Sequence, residues 1–529
     1  MASIVRQKVG KYTYLYESES YRNEQGKPRN RRVMIGKIDL KTGLPVYKKE
    51  YIERMREKGI RIESAEVAPV FSVEDIRRSS LLQTGMVHLL RGISESTGLD
   101  SILQKVFPFI HERLFALASF LVCSGEPVSY CAEWLERTDI DDVGSMSSQR
   151  VSELLRTIGS EDRERFFEEW AGYRSEMEYL ALDITSISSW SDLIDDVDWG
   201  YNRDGDNLPQ INLCMLMGQE SHLPVRMTVY NGSIRDVSTL EVTLEQLCGS
   251  MKGRNILLVM DKGFTSRRNI NGLLAREGTK FLMALPMTMG FAGKQIEAER
   301  GKIDCLQNTI VSGSDIIRGV TRKRSWTSDH KLHVHVFYNA MKAAGIRNNL
   351  YGHVSRLVEE AKADPDNGKL QKHFDHYLMI RRSSKNEAGF TVSVREDVVE
   401  RELTNAGWLV LISNHISDAQ EAISIYRAKD VVEKGFLRLK GSLGLDRLRV
   451  HSQEAMESKV FVGFIALILM SHMHRIMFER KLYDRMTMKD LIRTMEKLRT
   501  QVINDRRILF PLTKKQREIY EAFGLPLPV

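Results

Sequence analysis

The pattern of apolar and polar positions divides the chain into segments of different secondary structure. Between residues 75 and 175, apolar residues recur at helical spacing, for example at Met86, Leu89, Leu90 and Ile93. From Tyr179 to Leu285, short apolar runs and alternating segments predict three strands followed by helix, strand, helix and strand. That order predicts a mixed α/β sheet. It matches an RNase H-like core, although several other three-layer folds share it.

The alternation of predicted strands and helices stops after Pro286. Residues 287–404 contain alternating apolar positions around Val334 and other strand-like pieces, so we predict a mostly β insertion. The alternation resumes with a strand near Trp408, and we expect a long helix from about Asp418 to Leu439. A very apolar helix and a basic helical tail complete the chain.

The N-terminal segment predicts a small β-rich module. Tyr12, Tyr14 and Tyr16 alternate with other residues, and a basic, turn-forming stretch at 23–32 leads into an apolar run, as in a hairpin. A linker is expected near residues 64–73.

These patterns predict α/β architecture with an RNase H-like core. The predicted parts are a basic β-rich module (1–66), a helical domain (75–175), the first part of the core (176–286), a mostly β insertion (287–404), the second part of the core (405–480) and a helical tail (481–529).

Composition narrows the class of protein. The chain has 529 residues, of which 42% are hydrophobic and 28% charged, as in ordinary globular proteins. The longest apolar run, residues 460–470, is too short to cross a bilayer, and residues 1–10 lack the apolar core of a signal peptide. The five cysteines form no C-x-x-C pair, which excludes a zinc ribbon and fits a reducing compartment. We therefore expect a cytoplasmic protein without a membrane partner.

The net charge of +7 is modest, but it is unevenly distributed. Residues 1–64 contain 16 Lys and Arg against 8 Asp and Glu, so this segment carries the whole positive excess. A basic module on a near-neutral body suggests a polyanion partner, and a solvated face is the alternative.

Two acidic residues follow apolar runs. Asp183 comes after Leu182, and Asp261 comes after Met260, so both are expected at the rim of the sheet, where open α/β sheets bind ligands. Carboxylates fixed there can share Mg²⁺ ions. Taken singly, each could instead end a strand or cap a helix.

A third acid, Glu433, is expected on the long helix. Tyr426, Lys429, Glu433 and Lys440 fall on one face of a continuous α-helix, within an arc of roughly 60°. An acid among bases suits a metal ligand flanked by phosphate-binding groups. The alternative is a surface helix with an ion pair between Lys429 and Glu433.

Together these residues resemble a known family. The spacing Y-x2-R-x3-E-x6-K, preceded by two strand-terminal Asp residues, is similar to the signature of insertion-sequence DDE transposases of the IS four (YREK) superfamily. Lys429 stands where that family has Arg, although Arg427 lies nearby. The β-rich insertion and the basic N-terminal segment also resemble that family. The resemblance implies that the module at 1–66 binds DNA, that the helical domain at 75–175 binds DNA and dimerises, that the core is catalytic, and that the protein is associated with the nucleoid.

The resemblance implies a function and a site. Asp183, Asp261 and Glu433 would bind two Mg²⁺ ions, with Mn²⁺ as a substitute, for phosphoryl transfer on DNA. The expected DNA contacts are Tyr426, Arg427, Lys429, Lys440 and, as a stacking partner for a flipped base, Trp326. For Trp326, a position on a sheet face is the alternative. The implied partners are double-stranded terminal inverted repeats, target DNA and a second copy of the chain in a synaptic homodimer.

The sequence therefore predicts a transposase of a bacterial insertion sequence that cuts and pastes DNA. Two alternatives remain at this point. One is an RNase H-like, metal-dependent nuclease without strand transfer. The other is a non-catalytic DNA-binding protein derived from a transposase.

Overall fold

The computed structural model describes residues 3–23, 25–40, 43–58, 73–141, 143–174, 178–234, 236–250, 255–312, 315–382, 389–504 and 506–528. The chain forms two compact units, one of Met1–Ser80 with Val502–Arg506 and one of Leu81–Gln501 with Arg507–Val529. Most of the linker expected near 64–73, and the predicted boundary at residue 66, lie outside the described residues. The six-part division stays a prediction.

The strands are β1 (Ser3–Val9), β2 (Tyr12–Arg22), β3 (Pro28–Ile38), β4 (Pro45–Tyr47), β5 (Ser80–Gln83), β6 (Tyr179–Ser188), β7 (Gln210–Gly218), β8 (Pro224–Asn231), β9 (Ile256–Met260), β10 (Thr279–Ala284), β11 (Thr309–Ser312), β12 (Asp315–Ser325), β13 (Lys331–Tyr338), β14 (Leu378–Arg382), β15 (Phe390–Val394), β16 (Trp408–Ser413), β17 (Arg499–Ile503) and β18 (Arg506–Leu509).

The α-helices are α1 (Lys49–Glu57), α2 (Val73–Arg77), α3 (Gly85–Ser96), α4 (Leu99–Val106), α5 (His111–Ser124), α6 (Cys131–Leu135), α7 (Ser148–Thr157), α8 (Ser160–Tyr173), α9 (Asp236–Ser250), α10 (Arg267–Ala275), α11 (Gly290–Glu299), α12 (Ala340–Ala363), α13 (Gln371–Tyr377), α14 (Glu396–Leu403), α15 (Ala419–Arg427), α16 (Asp430–Leu437), α17 (Gln453–Glu479), α18 (Met488–Glu496) and α19 (Lys514–Phe523).

The first unit contains a four-stranded antiparallel sheet in the order β1-β2-β3-β4. The hairpin predicted at residues 23–32 is present as the β2–β3 connection. A small core of Leu15, Ile35, Tyr51 and Met55 joins the sheet to α1.

The second unit is organised around a nine-stranded sheet in the order β11-β12-β13-β16-β10-β9-β6-β7-β8. The pairs β6–β9 and β9–β10 are parallel and the other pairs are antiparallel, so the predicted mixed α/β sheet is confirmed. The predicted order of three strands, helix, strand, helix and strand is also confirmed, as β6 to β10 with α9 and α10.

Both faces of this sheet are covered by helices. Successive residues of a strand point to opposite faces, so the residues of β6 show which helices pack on each face. On β6, Leu180 and Leu182 join one core cluster with α9 and α10. Ala181 and Ile187 join another, which contains α16, α17 and the helices α3 to α8. A side chain at an odd-numbered position of β6, such as that of residue 183, therefore faces α16.

Helix α17 runs through this second cluster. By length and composition it is long and apolar enough to span a membrane, but 83% of its apolar window is buried inside the protein. Its apolar character is accounted for by packing on several sides within the unit.

The expectation of a mostly β insertion in 287–404 is wrong. Its longest element is the 24-residue helix α12, which packs with α13, α14 and the β14–β15 hairpin around Phe374. Strands β11 to β13 extend the main sheet through β16 and do not form a separate β unit. Strand alternation is conspicuous in sequence, whereas α11 and most of α12 lack a clear apolar stripe, which explains the error.

Candidate active site

The register of two parallel strands brings Asp183 and Asp261 side by side. The last aligned pair of β6 and β9 is Leu182 with Met260, and each acid is the next residue along its strand direction. Both side chains therefore leave the sheet on the same face.

The expectation that both acids end their strands holds only for Asp261, which directly follows β9. Asp183 is an interior residue of the ten-residue strand β6, which continues to Ser188. Pairing with β7 supports this continuation, since it extends to Ser188 opposite Gln210. Asp183 thus lies where the parallel neighbour ends, not where its own strand ends.

The single helix expected from Asp418 to Leu439 is interrupted. Helix α15 ends at Arg427, α16 begins at Asp430, and a π-helical segment, Arg438–Ser442, follows α16. The break falls at residues 428–429. It changes the direction of the side chains that follow relative to a continuous helix.

Lys429, at this break, lies between two of the acids. Its Nζ is 3.2 Å from Oε1 of Glu433 and 3.5 Å from Oδ2 of Asp183. The pair with Glu433 is the i, i+4 ion pair considered as the alternative, but the Lys429 side chain is only 8% exposed and also contacts Asp183. Burial alone would lower the pKa of Lys429, but Asp183, Asp261 and Glu433 together raise it, so the ammonium stays charged.

Asp183 lies mostly out of solvent. Burial raises the pKa of its carboxyl group, and the neighbouring Asp261 acts in the same direction. Lys429 and the backbone N–H of Ile184, which donates to Oδ1 at 2.9 Å, oppose this rise. The fold therefore holds an acid where its charge needs a nearby cation.

Tyr426 connects the end of α15 to Asp261. Its hydroxyl donates to Oδ1 of Asp261 at 2.8 Å. Burial, followed by the charge of Asp261, raises the pKa of Tyr426, so the hydroxyl remains a donor. Oδ1 of Asp261 also accepts from the backbone N–H of Lys262 at 2.8 Å, so the capping interpretation of this residue holds as well.

A glycine sets how closely α16 approaches the sheet. A Cβ at Gly435 would lie 2.2 Å from Sδ of the buried Met217 on β7. Glu433 is on the same helix two residues earlier, so the absence of a side chain at Gly435 helps to bring Glu433 over β6.

The other predicted DNA contacts lie elsewhere. The helical face that combined Lys440 with Glu433 is wrong, because it assumed one continuous α-helix. Lys440, in the π-helical segment, instead pairs with Asp204 at 2.7 Å. Arg427 pairs with Asp315 at 2.8 Å.

Trp326 occupies the position given as its alternative, on a covered sheet face. Its side chain is 9% exposed and packs edge-on against Phe291. The indole N–H donates to Asn271 at 2.8 Å. Base stacking by this ring would require it to leave these contacts.

Exposed aromatic residues that the sequence analysis did not single out follow β6. Trp190, Trp199 and Tyr201 are 68%, 61% and 81% exposed. The guanidinium of Arg447 lies 5.4 Å from the centre of the Trp190 ring. Only the aromatic residues among polar ones could have indicated this surface in the sequence. The contact with Arg447 could not, since Arg447 and Trp190 are far apart along the chain.

The residues of the acid cluster fit a divalent cation. Within the described part of the chain, no three His, Cys, Asp or Glu side chains are already arranged as a metal site. The reason is visible in the geometry, because the Lys429 ammonium occupies the space between Asp183 and Glu433. Carboxylate oxygens are the ligands that Mg²⁺ prefers, and this set already holds one positive charge.

Comparison with known proteins gives a family match. The sequence model of the transposase DDE domain matches residues 174–469, which include all three acids. A search of curated proteins found no match. Among solved structures, the chain is similar to a piggyBac transposase in a synaptic complex with hairpin DNA, at 10% identity and a TM-score of 0.37, covering 79% of this chain and 77% of that one.

Proposed function

The chain belongs to the transposase DDE-domain family, and from this premise we propose that it is the transposase of a bacterial insertion sequence. In this proposal it binds terminal inverted repeats as a homodimer and performs cut-and-paste DNA cleavage and strand transfer. The observation that carries the proposal is the convergence of Asp183, Asp261 and Glu433 around the Lys429 ammonium.

The finer assignments belong to the same proposal. The order of β6 to β10 supports an RNase H-like core. The sequence Tyr426 to Lys440 supports membership of the IS four superfamily, with Lys429 in place of its arginine.

Asp183, Asp261 and Glu433 would hold two Mg²⁺ or Mn²⁺ ions. Bound there, the ions would stabilise charge on the attacking and leaving oxygens of a phosphodiester. Tyr426 would orient Asp261 through its hydroxyl, as it does in this structure. Lys429 would neutralise the acids until the ions bind and would then be free to contact a DNA phosphate.

Lys440 and Arg427 are retained as DNA contacts on weaker grounds. Each is engaged by an Asp of the same chain, so DNA would have to compete with that ion pair. A stacking role for Trp326 is not carried into the proposal, because its ring is part of a packed cluster.

The proposal is tested by cleavage of labelled duplexes from both flanks of the gene, with Mg²⁺ or Mn²⁺. Glu433→Gln keeps the size of the side chain and removes its charge. We expect it to abolish cleavage while DNA binding persists. Glu421→Gln, an equivalent change on the exposed surface of α15, is the matched control and should cut normally.

The products separate the proposal from its alternatives. Cleavage at a defined end followed by joining to plasmid supports a transposase. Cleavage without joining favours the nuclease. Binding without any metal-dependent product favours the non-catalytic DNA-binding protein.

A further inference from the structure

The β2–β3 hairpin extends beyond the small sheet that carries it. Pairing of β1 with β2 runs from Val9 opposite Tyr12 to Ser3 opposite Ser18. Past Ser18, the described residues pair β2 with β3 alone, from Glu19 opposite Arg31 to Arg22 opposite Pro28. We call these two segments, Glu19–Arg22 and Pro28–Arg31, together with their connecting turn, the ribbon.

The ribbon has no apolar core beneath it. The buried core of its unit lies around Leu15 and Ile35, near the base of the hairpin. In the ribbon, by contrast, even Tyr21 is 53% exposed. Local polar contacts hold its shape, since the Ser20 hydroxyl donates to Oδ1 of Asn30 at 2.6 Å. A two-stranded segment that buries so little gains little stability from its own side chains.

The ribbon carries more basic than acidic side chains. Its paired segments hold Arg22, Arg29 and Arg31 against one acid, Glu19, which lies opposite Arg31. Arg29 and Arg31 are exposed, and neither forms an ion pair or a side-chain hydrogen bond with any residue that the structure describes. On β12, by contrast, Arg322 pairs with Glu299 at 2.8 Å. The ribbon thus presents an excess of positive charge.

Strand alternation sorts these side chains onto two faces. Glu19, Tyr21, Arg29 and Arg31 share one face, and Ser20, Arg22 and Asn30 share the other, because directly opposed residues point the same way. Arg29 and Arg31 are two residues apart on one strand and so lie about 7 Å apart. This spacing matches about two base-pair steps of B-form DNA, each of about 3.4 Å.

We infer that the ribbon inserts into the major groove of B-form DNA, with Arg29 and Arg31 towards the base edges. The groove is about 12 Å wide and admits a two-stranded β-ribbon, and arginine pairs with O6 and N7 of guanine. The deep, narrow major groove of A-form RNA does not admit one. The inference rests on the proposed function, whose N-terminal module binds DNA, and adds the element, the groove and the residues.

The test uses the full-length protein and a labelled duplex from each flank of the gene. The variant Arg29→Ala/Arg31→Ala is compared with Arg56→Ala/Lys58→Ala, which removes the same charge from exposed positions at the end of α1 in the same unit. Binding is measured over a range of salt concentrations, with guanine and with 7-deazaguanine, which lacks N7. Cleavage of the same duplexes is measured in parallel.

We expect the ribbon variant to bind the flank duplex at least about tenfold more weakly, and the α1 variant to differ less. 7-Deazaguanine should weaken binding of the wild-type protein and leave the ribbon variant unchanged. Since both substituted positions are exposed, the thermal midpoint should be unchanged.

Equal binding by the two variants, or no effect of 7-deazaguanine at any position, would overturn the inference. If the wild-type protein still cleaves the duplex in that case, the proposed function stands and only the ribbon is misassigned. If the protein neither binds nor cleaves any flank duplex, both the proposed function and the inference fail.

Discussion

Replacing Lys429 by Met tests whether this side chain acts as an internal cation for the acid cluster. The substitution keeps an unbranched side chain of similar length and removes only the charge. Without this ammonium, the pKa of Asp183 stays raised, and the group that contributes most to opposing the rise is lost. We expect the variant to be less stable than the wild-type protein when divalent ions are absent.

The size of the loss follows from the two contacts. At 3.2 and 3.5 Å, an effective dielectric constant of about 20 gives a gross attraction of about 5 kcal/mol for each. Burial of the ammonium offsets much of this, and Glu433 is 61% exposed, so solvent screens its share. Removing one partner of a fully buried pair costs about 3–5 kcal/mol. For this half-exposed arrangement we expect about 2 kcal/mol, or a fall of about 2 °C in thermal midpoint.

The assay is thermal unfolding with a chelator and then with added Mg²⁺. A ligand that binds the folded state raises the midpoint, and at a given concentration a tighter ligand raises it more. Because Mg²⁺ no longer competes with an ammonium in Lys429→Met, its stabilising effect should be larger than in the wild-type protein. Lys434→Met is the control, since Lys434 pairs with Asp430 at the surface of the same helix at 2.7 Å. A Lys429→Met protein as stable as the control in chelator, with no greater response to Mg²⁺, would refute the reasoning.

Three further changes have defined outcomes. Gly444→Ala should destabilise the protein by about 2 kcal/mol or more in urea denaturation. Gly444 has φ +67°, and a Cβ there would lie 2.0 Å from the carbonyl oxygen of Gly125. Gly441→Ala is the control and should change stability by much less, because the space around Gly441 is open. Burial lowers the pKa of His472 to about 4 from 6.5. As the pH drops from 6.5 towards 4, the unfolded chain therefore binds a proton at this residue before the folded protein does, and stability should fall. The fall should be shallower in His472→Gln. Trp326→Phe should lower the urea midpoint and leave DNA cleavage at a permissive temperature unchanged; loss of cleavage with unchanged stability would restore the stacking role.

Local patterns were sufficient to predict the strands that carry the acids. Alternation and apolar runs in the sequence reflect which side chains of a strand are buried. On β7, for example, all nine residues are buried. Once β6 and β9 are parallel neighbours, the apolar run before each acid nearly fixes the register, because each run ends at the residue before it. The proximity of Asp183 and Asp261 could therefore be expected from the sequence.

The helix that carries Glu433 shows where such reasoning fails. Its amphipathic pattern is compatible with one long helix, but the structure breaks it before Asp430 and ends it in a π-helical segment. Beyond that segment, Gly444 approaches the backbone of Gly125, a residue far away in sequence. Contacts of this kind decide the path of the chain and leave no periodic signal. The prediction that Lys440 shares a helical face with Glu433 assumed a continuous α-helix, which the structure does not have.

The packing of Trp326 could not be predicted for a related reason. The residue directly follows β12, on which every second side chain points inwards. Arg322 and Arg324 share the face of Trp326, and α11 covers that face through Glu299 and Gln295. Because α11 was not expected from the sequence, the sequence could not decide between base stacking and a position on a covered sheet face.

The placement of Asp183 argues that the acid cluster exists for a cation and is not a by-product of folding. Strand ends and helix caps tolerate Asp readily, and Asp261 fills such a role. Asp183 does not, because it is inside a strand on a covered face, where burial disfavours its charge. An apolar residue there would pack against α16 without that cost. The fold instead keeps the acid and places Lys429 beside it, at the break between α15 and α16. Among the residues that the structure describes, this is the one lysine whose Nζ contacts both Asp183 and Glu433. A buried acid held with a replaceable positive charge is the arrangement expected of a site that exchanges an internal cation for a bound one.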